Sequence, residues 1–258
     1  MAEENRQPIL EVQDLGIDFG GLTAVNNLNM KIYPEQIDGL IGPNGAGKTT
    51  VFNMLTKVYQ PTRGKIFLEG KDMEKLNPVE ASHAGIARTF QNIRLFYNMS
   101  VIDNVKTGMH NHIRYSNFDA IFRTGRFRRE EKEAQKEAEE LLEIFHLSQY
   151  ASLTAGNLPY GQQRRLEIAR AMATRPKLLL LDEPAAGMNP QETEELMAMI
   201  REVRDHFKIA ILLIEHDMQL VMRICEHITV LNYGMLLAEG TPQEIQNNPE
   251  VIKAYIGD

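Results

Sequence analysis

The sequence predicts an α/β protein with a mainly parallel core sheet, an antiparallel β subdomain and an inserted α-helical subdomain. Three observations predict it. The apolar runs IDGLIG (37–42), KLLLLDEP (177–184) and IAILLIEHD (209–217) each precede a helical pattern, as buried parallel strands do. Near the start, ILEVQDLGIDF, LNMKIYP and GKIFLEGKD are short alternating runs joined by Gly- and Asn-containing turns, as antiparallel strands are. Between about 95 and 155 the pattern becomes helical.

Within that last region, SVIDNVKTGM reads as a helix with Ser100 as its N-cap and Asp103 in its first turn. HNHIRYSNFDAIFRTGRFRR reads as irregular and basic. REEKEAQKEAEELLEIFHL reads as a strong helix whose apolar end carries Leu141, Leu142, Ile144 and Phe145. The expected organisation is one domain: 1–94 for the antiparallel subdomain and the first part of the core, 95–172 for the helical subdomain, and 173–258 for the rest of the core and the tail. No internal repeat or low-complexity tract interrupts it.

With 258 residues, 43% hydrophobic and 24% charged, the chain has an ordinary globular balance and length for one large α/β domain. A formal net charge of −7 speaks against a surface given over to nucleic acid. Cys225 is the single cysteine, so no intrachain disulfide can form and a reducing, cytoplasmic setting fits. MAEENRQPILEV lacks the basic-then-apolar pattern of a secretory signal. The apolar runs fall well short of the ~20 residues that span a bilayer. At a membrane, another chain would supply the spanning part.

GPNGAGKTT (42–50) fits G-x-x-x-x-G-K-[ST], with an apolar strand before it and a helical pattern after it. A helix N-terminus leaves backbone N–H groups that converge on an anion. Gly42, Pro43, Asn44, Gly45, Ala46, Gly47 and Thr50 form the cradle; Gly45 and Gly47 let the backbone approach phosphate. Lys48 reaches the β- and γ-phosphates and the Thr49 hydroxyl ligates Mg²⁺. LLLLDEP ends a buried strand in two acids whose side chains, by strand alternation, point different ways. Asp182 is placed to hold Mg²⁺, and Glu183 to orient or deprotonate an attacking water. His216 follows the third apolar strand and is a hydrogen-bond partner for the γ-phosphate. Asp38 reads as an acid at an exposed strand start with no assigned role. Gln91, after a short strand in ARTFQN, is uninformative by spacing alone.

Taken together and in order, these pieces resemble the nucleotide-binding subunits of ABC transporters: phosphate loop 42–50, Gln91 as Q-loop, LPYGQ at 158–162 as signature, LLLLDE, AGMN at 186–189 as D-loop, and His216. No NKxD guanine-reading motif occurs. The resemblance covers residues from about 9 to 257. It implies an ATPase that uses ATP and Mg²⁺ and dimerises head to tail, each ATP held between one chain's phosphate loop and the other's signature (Leu158, Pro159, Tyr160, Gly161, Gln162). It implies that Phe19 stacks on adenine, that Gln91 senses the γ-phosphate and Mg²⁺, and that the helical subdomain receives a membrane subunit. Three departures are visible, one of them Tyr160 where the family has a glycine, its ring expected to turn away from the nucleotide. Asn189 stands where the family has aspartate, keeping hydrogen bonding without charge. Pro159 stands where the family has serine, so the expected donors are the amides of Gly161 and Gln162, with Pro159 in the first helical turn.

The segment 110–130, LPYGQQRRLEIARA, DEPAAGMNP, LLIEHDMQLVM and the tail GTPQEIQNNPEVIKAYIGD look like the LivG-type ATPases of branched-chain amino acid importers. That implies a companion ATPase as heterodimer partner (or a homodimer in isolation), two transmembrane permease subunits, a periplasmic binding protein, no nucleic acid, and a peripheral place on the cytoplasmic face of the bacterial inner membrane. Related importers carry urea or other amides. The basic stretch Arg123, Arg126, Arg128 and Arg129 suits a lipid-headgroup or permease contact, or a solvated loop offsetting the acidic helix after it. His110 and His112 lack further ligands nearby, so no metal site is expected there.

Overall fold

The computed structural model describes residues 6–112 and 115–256. The chain divides into two compact units, one made of 1–91 with 177–258 and the other of 92–176.

The first unit opens with a four-stranded antiparallel sheet. β1 (Leu10–Phe19) and β2 (Leu22–Ile32) form a hairpin that turns at Gly20 and Gly21, both at positive φ. β3 (Ile37–Ile41) belongs to the second sheet and leads through the phosphate loop into α1 (Lys48–Leu55). β4 (Arg63–Leu68) and β5 (Lys71–Asp72) complete the first sheet in the order β2-β1-β4-β5. The alternation in β1 breaks where register shifts fall between Val12, Leu15, Ile17 and Asp18, so Leu15 and Ile17 are both buried. α2 (Pro78–Ala84) is set by a capping box between Asn77 and Glu80, and it delivers β6 (Ile86–Arg88).

The second unit is helical: α3 (Val101–Met109), α4 (Asn117–Phe122), α5 (Gly125–Ile144) and α6 (Tyr160–Met172). Ser100 caps α3 and accepts from the Asp103 amide, as its sequence predicts. Much of the described part of the stretch read as irregular is helical. Ser116 and Asp119 form a capping box that starts α4, and Thr124 caps α5. The arginines after Arg123 therefore lie in the first turns of a helix rather than in a loop. There Arg126 pairs with Glu130 at 2.9 Å and Arg129 with Glu133 at 3.9 Å. Both histidine rings of HNH hydrogen-bond backbone carbonyls, His110 to Lys106 and His112 to Thr174.

The chain then returns to the first unit with β7 (Leu178–Asp182), α7 (Pro190–Phe207), β8 (Ala210–Ile214), α8 (Met218–Ile224), β9 (His227–Asn232), β10 (Met235–Gly240), α9 (Pro242–Gln246) and α10 (Pro249–Ile256). The six-stranded sheet runs β10-β9-β3-β8-β7-β6, parallel except for the β10–β9 hairpin. Every residue of β3, β7 and β8 is buried, which accounts for their unbroken apolar runs. In such sheets ligands gather outside the carboxyl ends of the strands, and these three strands carry the phosphate loop, the acid pair and His216 there.

Asp38 corrects the sequence reading. It is 4% exposed, in β3 between Leu212 of β8 and His227 of β9, and its Oδ1 has no hydrogen-bond partner among the described residues. Burial pushes its carboxyl up to about 8, with the like charge of Glu226 adding to the rise.

Candidate active site

The phosphate loop is fixed by its own backbone and by the β9–β10 turn. A Cβ on Gly42 would sit 2.1 Å from the Leu231 carbonyl, and one on Gly47 2.8 Å from that of Ala24, so neither position tolerates a side chain. The Gly234 amide donates to the Ala46 carbonyl. A Cβ on Gly45 would meet nothing within 4 Å, which leaves that side open to a ligand. Gly47 then precedes α1, whose first turn holds no acid to compete with a phosphate. A cavity of about 430 Å³ lies beside the loop, lined by Thr23, Ala24, Gly45, Lys48, Thr49, Thr50 and Tyr233 among others.

Lys48 folds back onto the loop, its ammonium donating to the Gly42 carbonyl at 2.7 Å and the Pro43 carbonyl at 3.0 Å. Burial lowers its pKa, while the carboxylates of Glu183 and Asp182 pull the other way. The Tyr255 phenol of α10 hydrogen-bonds the Gly42 backbone, and burial raises it to about 12.

Asp182, the last residue of β7, is held by Arg88 at 2.6 Å, an ion pair only 7% and 6% exposed. The same guanidinium donates to Asn53 Oδ1 at 2.6 Å and lies 5.4 Å and 5.2 Å from the Phe52 and Phe90 ring centres. Glu183 has left the strand, at φ 47° with its amide donating to Ile214. Its direction thus comes from a left-handed turn rather than from strand alternation. Its carboxylate accepts from Gln91 Nε2 at 2.7 Å on one oxygen and meets His216 Nε2 at 2.6 Å on the other. An ionised carboxylate only accepts, so the His216 Nε2 carries the hydrogen. Gln91, Glu183 and His216 are thereby brought together in one chain of hydrogen bonds.

Asn189 has a local task. Its side chain accepts from the Glu192 amide and the Glu192 carboxylate accepts from its own amide, with Pro190 at the first turn of α7. Phe19 is exposed and lies edge-on to Tyr59, ring centres 5.3 Å apart; it is not among the residues lining the cavity beside the loop.

In the helical unit, Leu158 is buried and Tyr160 exposed. Pro159 is the N-cap of α6 at φ −55°, ψ 152°, one position earlier than the sequence suggests. Its carbonyl accepts from both the Gln162 and Gln163 amides at 3.0 Å, so the Gln162 amide is already spent inside the helix. Behind the turn, Arg164 is fully buried and paired with Glu167 at 2.8 Å, and Glu167 also accepts from the Arg94 amide.

Three residues of the site escaped the sequence. Arg88, the last residue of β6, supports Asp182; nothing in the letters around it names that partner. Buried Glu215 accepts from the amides of Ala185 and His216, tying the segment after Glu183 to the end of β8. Burial raises its pKa and those two amides oppose the rise. Tyr233 enters through the β9–β10 hairpin, whose short strands sequence analysis did not single out.

A lysine-bearing phosphate loop facing an acid pair across parallel strands is the pattern of a P-loop nucleoside triphosphatase. The comparisons place it further. Residues 25–186 match the model of the ABC transporter family, and 235–258 match that of the "Branched-chain amino acid ATP-binding cassette transporter". The chain is 52% identical to the high-affinity branched-chain amino acid transport ATP-binding proteins BraF of Pseudomonas aeruginosa and LivG of Escherichia coli, over 98% of this chain and 99% of each relative. A crystal structure of the ADP conformation of MJ1267, an ATP-binding cassette of an ABC transporter, aligns with TM-score 0.85 at 30% identity over 98% of this chain and all of that one. The chain belongs to the ATP-binding proteins of ABC transporters and is an ATPase of that family. Among the described residues no helix is long and apolar enough to cross a membrane.

Proposed function

We propose that this chain powers the uptake of branched-chain amino acids through partner permease subunits on the cytoplasmic face of a bacterial inner membrane. The observation that carries the reading is the 52% identity to two such proteins across almost the whole of each chain, together with the match of the tail. The MJ1267 likeness supports an ATP/ADP-binding cassette. A companion ATPase and two permease subunits, fed by a periplasmic binding protein, complete the assembly.

In this reading the phosphate loop, Gly42 to Thr50, holds the phosphates of ATP. Lys48 gives up its carbonyl contacts to a phosphate oxygen, an exchange its burial favours because a bound anion replaces weak dipoles. Mg²⁺ takes oxygen ligands, and Thr49, Asp182 and Gln91 offer a hydroxyl, a carboxylate and an amide oxygen in the same unit. Among the described residues no three His, Cys, Asp or Glu side chains form a metal cage; Mg²⁺ bound with a nucleotide needs only one or two carboxylates. When bound it neutralises charge on the β- and γ-phosphates. Arg88 holds Asp182 in place for that task. Glu183 orients and deprotonates the attacking water, and His216 turns its Nε2–H from the Glu183 carboxylate to the γ-phosphate when ATP is bound. Phe19 packs on adenine at the open edge of the site. Gln91 reports the γ-phosphate, and Asn189 shapes the D-loop as the cap of α7. Leu158 to Gln162 complete the ATP site of a second ATPase chain, with the Gly161 amide at the start of α6 as a backbone donor.

The test is uptake into proteoliposomes holding this chain, its companion ATPase and both permeases, with binding protein outside. ATP-dependent accumulation of leucine, isoleucine and valine is expected. Accumulation of urea or another amide without leucine would replace the substrate and leave the ATPase assignment standing.

A further inference from the structure

The acidic chain carries one surface that is both basic and apolar, and it lies on the segment 115–130 of the helical unit. On α4, Phe118, Ile121 and Phe122 recur at the i, i+3, i+4 spacing of one helix face and are 64%, 75% and 64% exposed. The Phe118 and Phe122 rings touch each other, centres 4.4 Å apart. Around them Arg123, Arg126, Arg128 and Arg129 are all exposed. Arg123 and Arg128 have no side-chain partner among the described residues, whereas Arg126 and Arg129 face acids of their own helix. The one acid within 116–129, Asp119, is engaged by its own segment, accepting from the hydroxyls of Ser116 and Thr124. Four arginines against one carboxylate leave the stretch at net +3 in a chain of net −7.

This display is built rather than left over. The capping box fixes the start of α4. Tyr115 packs edge-on against Phe127, donates from its hydroxyl to Glu131 and from its amide to Glu130. One aromatic pair, Tyr115 and Phe127, is thus used to anchor the segment, while Phe118, Ile121 and Phe122 are held outward.

We propose that α4 and the first turns of α5 form an interfacial membrane contact, with Phe118, Ile121 and Phe122 entering the headgroup boundary of an anionic bilayer and the arginines pairing with lipid phosphates. An apolar face rimmed by arginines is the chemistry of helices that lie in a membrane interface. Three side chains on fewer than two helical turns bury far less than the roughly 1,000 Å² a specific protein interface needs, but shallow insertion has no such threshold. Charge complementarity selects the anionic leaflet, where juxtamembrane basic residues each add to binding. The inference is independent of which solute is transported.

The chain contains no tryptophan, so Phe118→Trp introduces a single fluorophore at the proposed contact. Its emission is expected to shift to the blue, and to be quenched by brominated acyl chains, with vesicles of phosphatidylcholine and phosphatidylglycerol but not phosphatidylcholine alone. Raising the salt concentration should weaken the effect. Arg123→Gln with Arg128→Gln should lower the affinity of the full chain for anionic vesicles by about tenfold or more. Ile121→Ser with Phe122→Ser should lower it comparably, with ATP turnover in solution unchanged as evidence of folding. No shift and no sedimentation with anionic vesicles would overturn the proposal. So would wild-type vesicle binding by these variants, or a loss confined to their association with detergent-solubilised permease, which would make the surface a protein-docking site.

Discussion

Around the phosphate loop, four side chains from three strand ends do the holding: Lys48 on the loop carbonyls, Arg88 on Asp182, and Gln91 and His216 on Glu183. At Leu158–Gln162 the chain offers no such set. Pro159 caps α6 with its carbonyl, and neither its ring nor its nitrogen can donate. The first region carries chemistry in charged side chains fixed by buried strands; the second contributes shape, a helix dipole, main-chain N–H groups and the neutral polar side chains of Tyr160 and Gln162. Substitutions in the first should therefore be costly and specific, and those in the second mild unless they disturb the backbone.

The largest effect on that contrast is expected from Lys48→Ala. It removes the ammonium that folds over the phosphate loop, and on the proposed function ATP turnover should fall by about a hundredfold or more in a phosphate-release assay. Turnover within a few-fold of wild type would show that the backbone cradle suffices. Arg88→Ala comes next. It strands the buried Asp182 carboxylate and the Asn53 amide, so unfolding free energy should drop by about 3–5 kcal/mol, read from urea titrations, with turnover reduced as well. Turnover lost without a stability change would mean that Arg88 acts on nucleotide directly.

Asp38 separates fold from chemistry. Its folded-state value of about 8 lies above the ordinary ~3.9 of an unfolded chain. Between those values the folded protein keeps a proton that the unfolded chain has released, so Asp38 makes stability fall as pH rises from about 4 to about 8, and its contribution levels off above. Asp38→Asn should remove that slope and gain on wild type as pH rises, measured as Tm against pH, with no change in ATP affinity. Parallel curves for the two proteins would show that Asp38 is ionised in the fold. The smallest effect belongs to Pro159→Ser. A restored hydroxyl should alter turnover modestly, upward where a missing donor slows closure of two chains on ATP. A large loss would mean that proline fixes the geometry of the turn.

What was legible follows from how local the signals are. The phosphate loop, the acid pair and His216 each sit in a contiguous run whose apolar strand is fully buried, so motif and fold announce each other. The Asn189 cap is also present in the letters N-P-x-E, and the Ser116 cap in S-x-x-D, both local signals of a helix start. Arg88 was not legible, since its partner Asp182 is brought near only by the parallel register that sets Arg88 beside Leu180. Asp38 was misread for the related reason that β9 covers its edge, and β9 was not singled out.

The most direct measurement is ATP affinity and ATP turnover on the same preparation of Glu183→Gln. The amide keeps the shape and a hydrogen bond to Gln91 or His216 but cannot take a proton from water. Unchanged ATP affinity with turnover reduced by about a hundredfold or more is the expected result. Turnover near wild type, with ATP bound, would contradict the placement of hydrolytic chemistry at the end of β7.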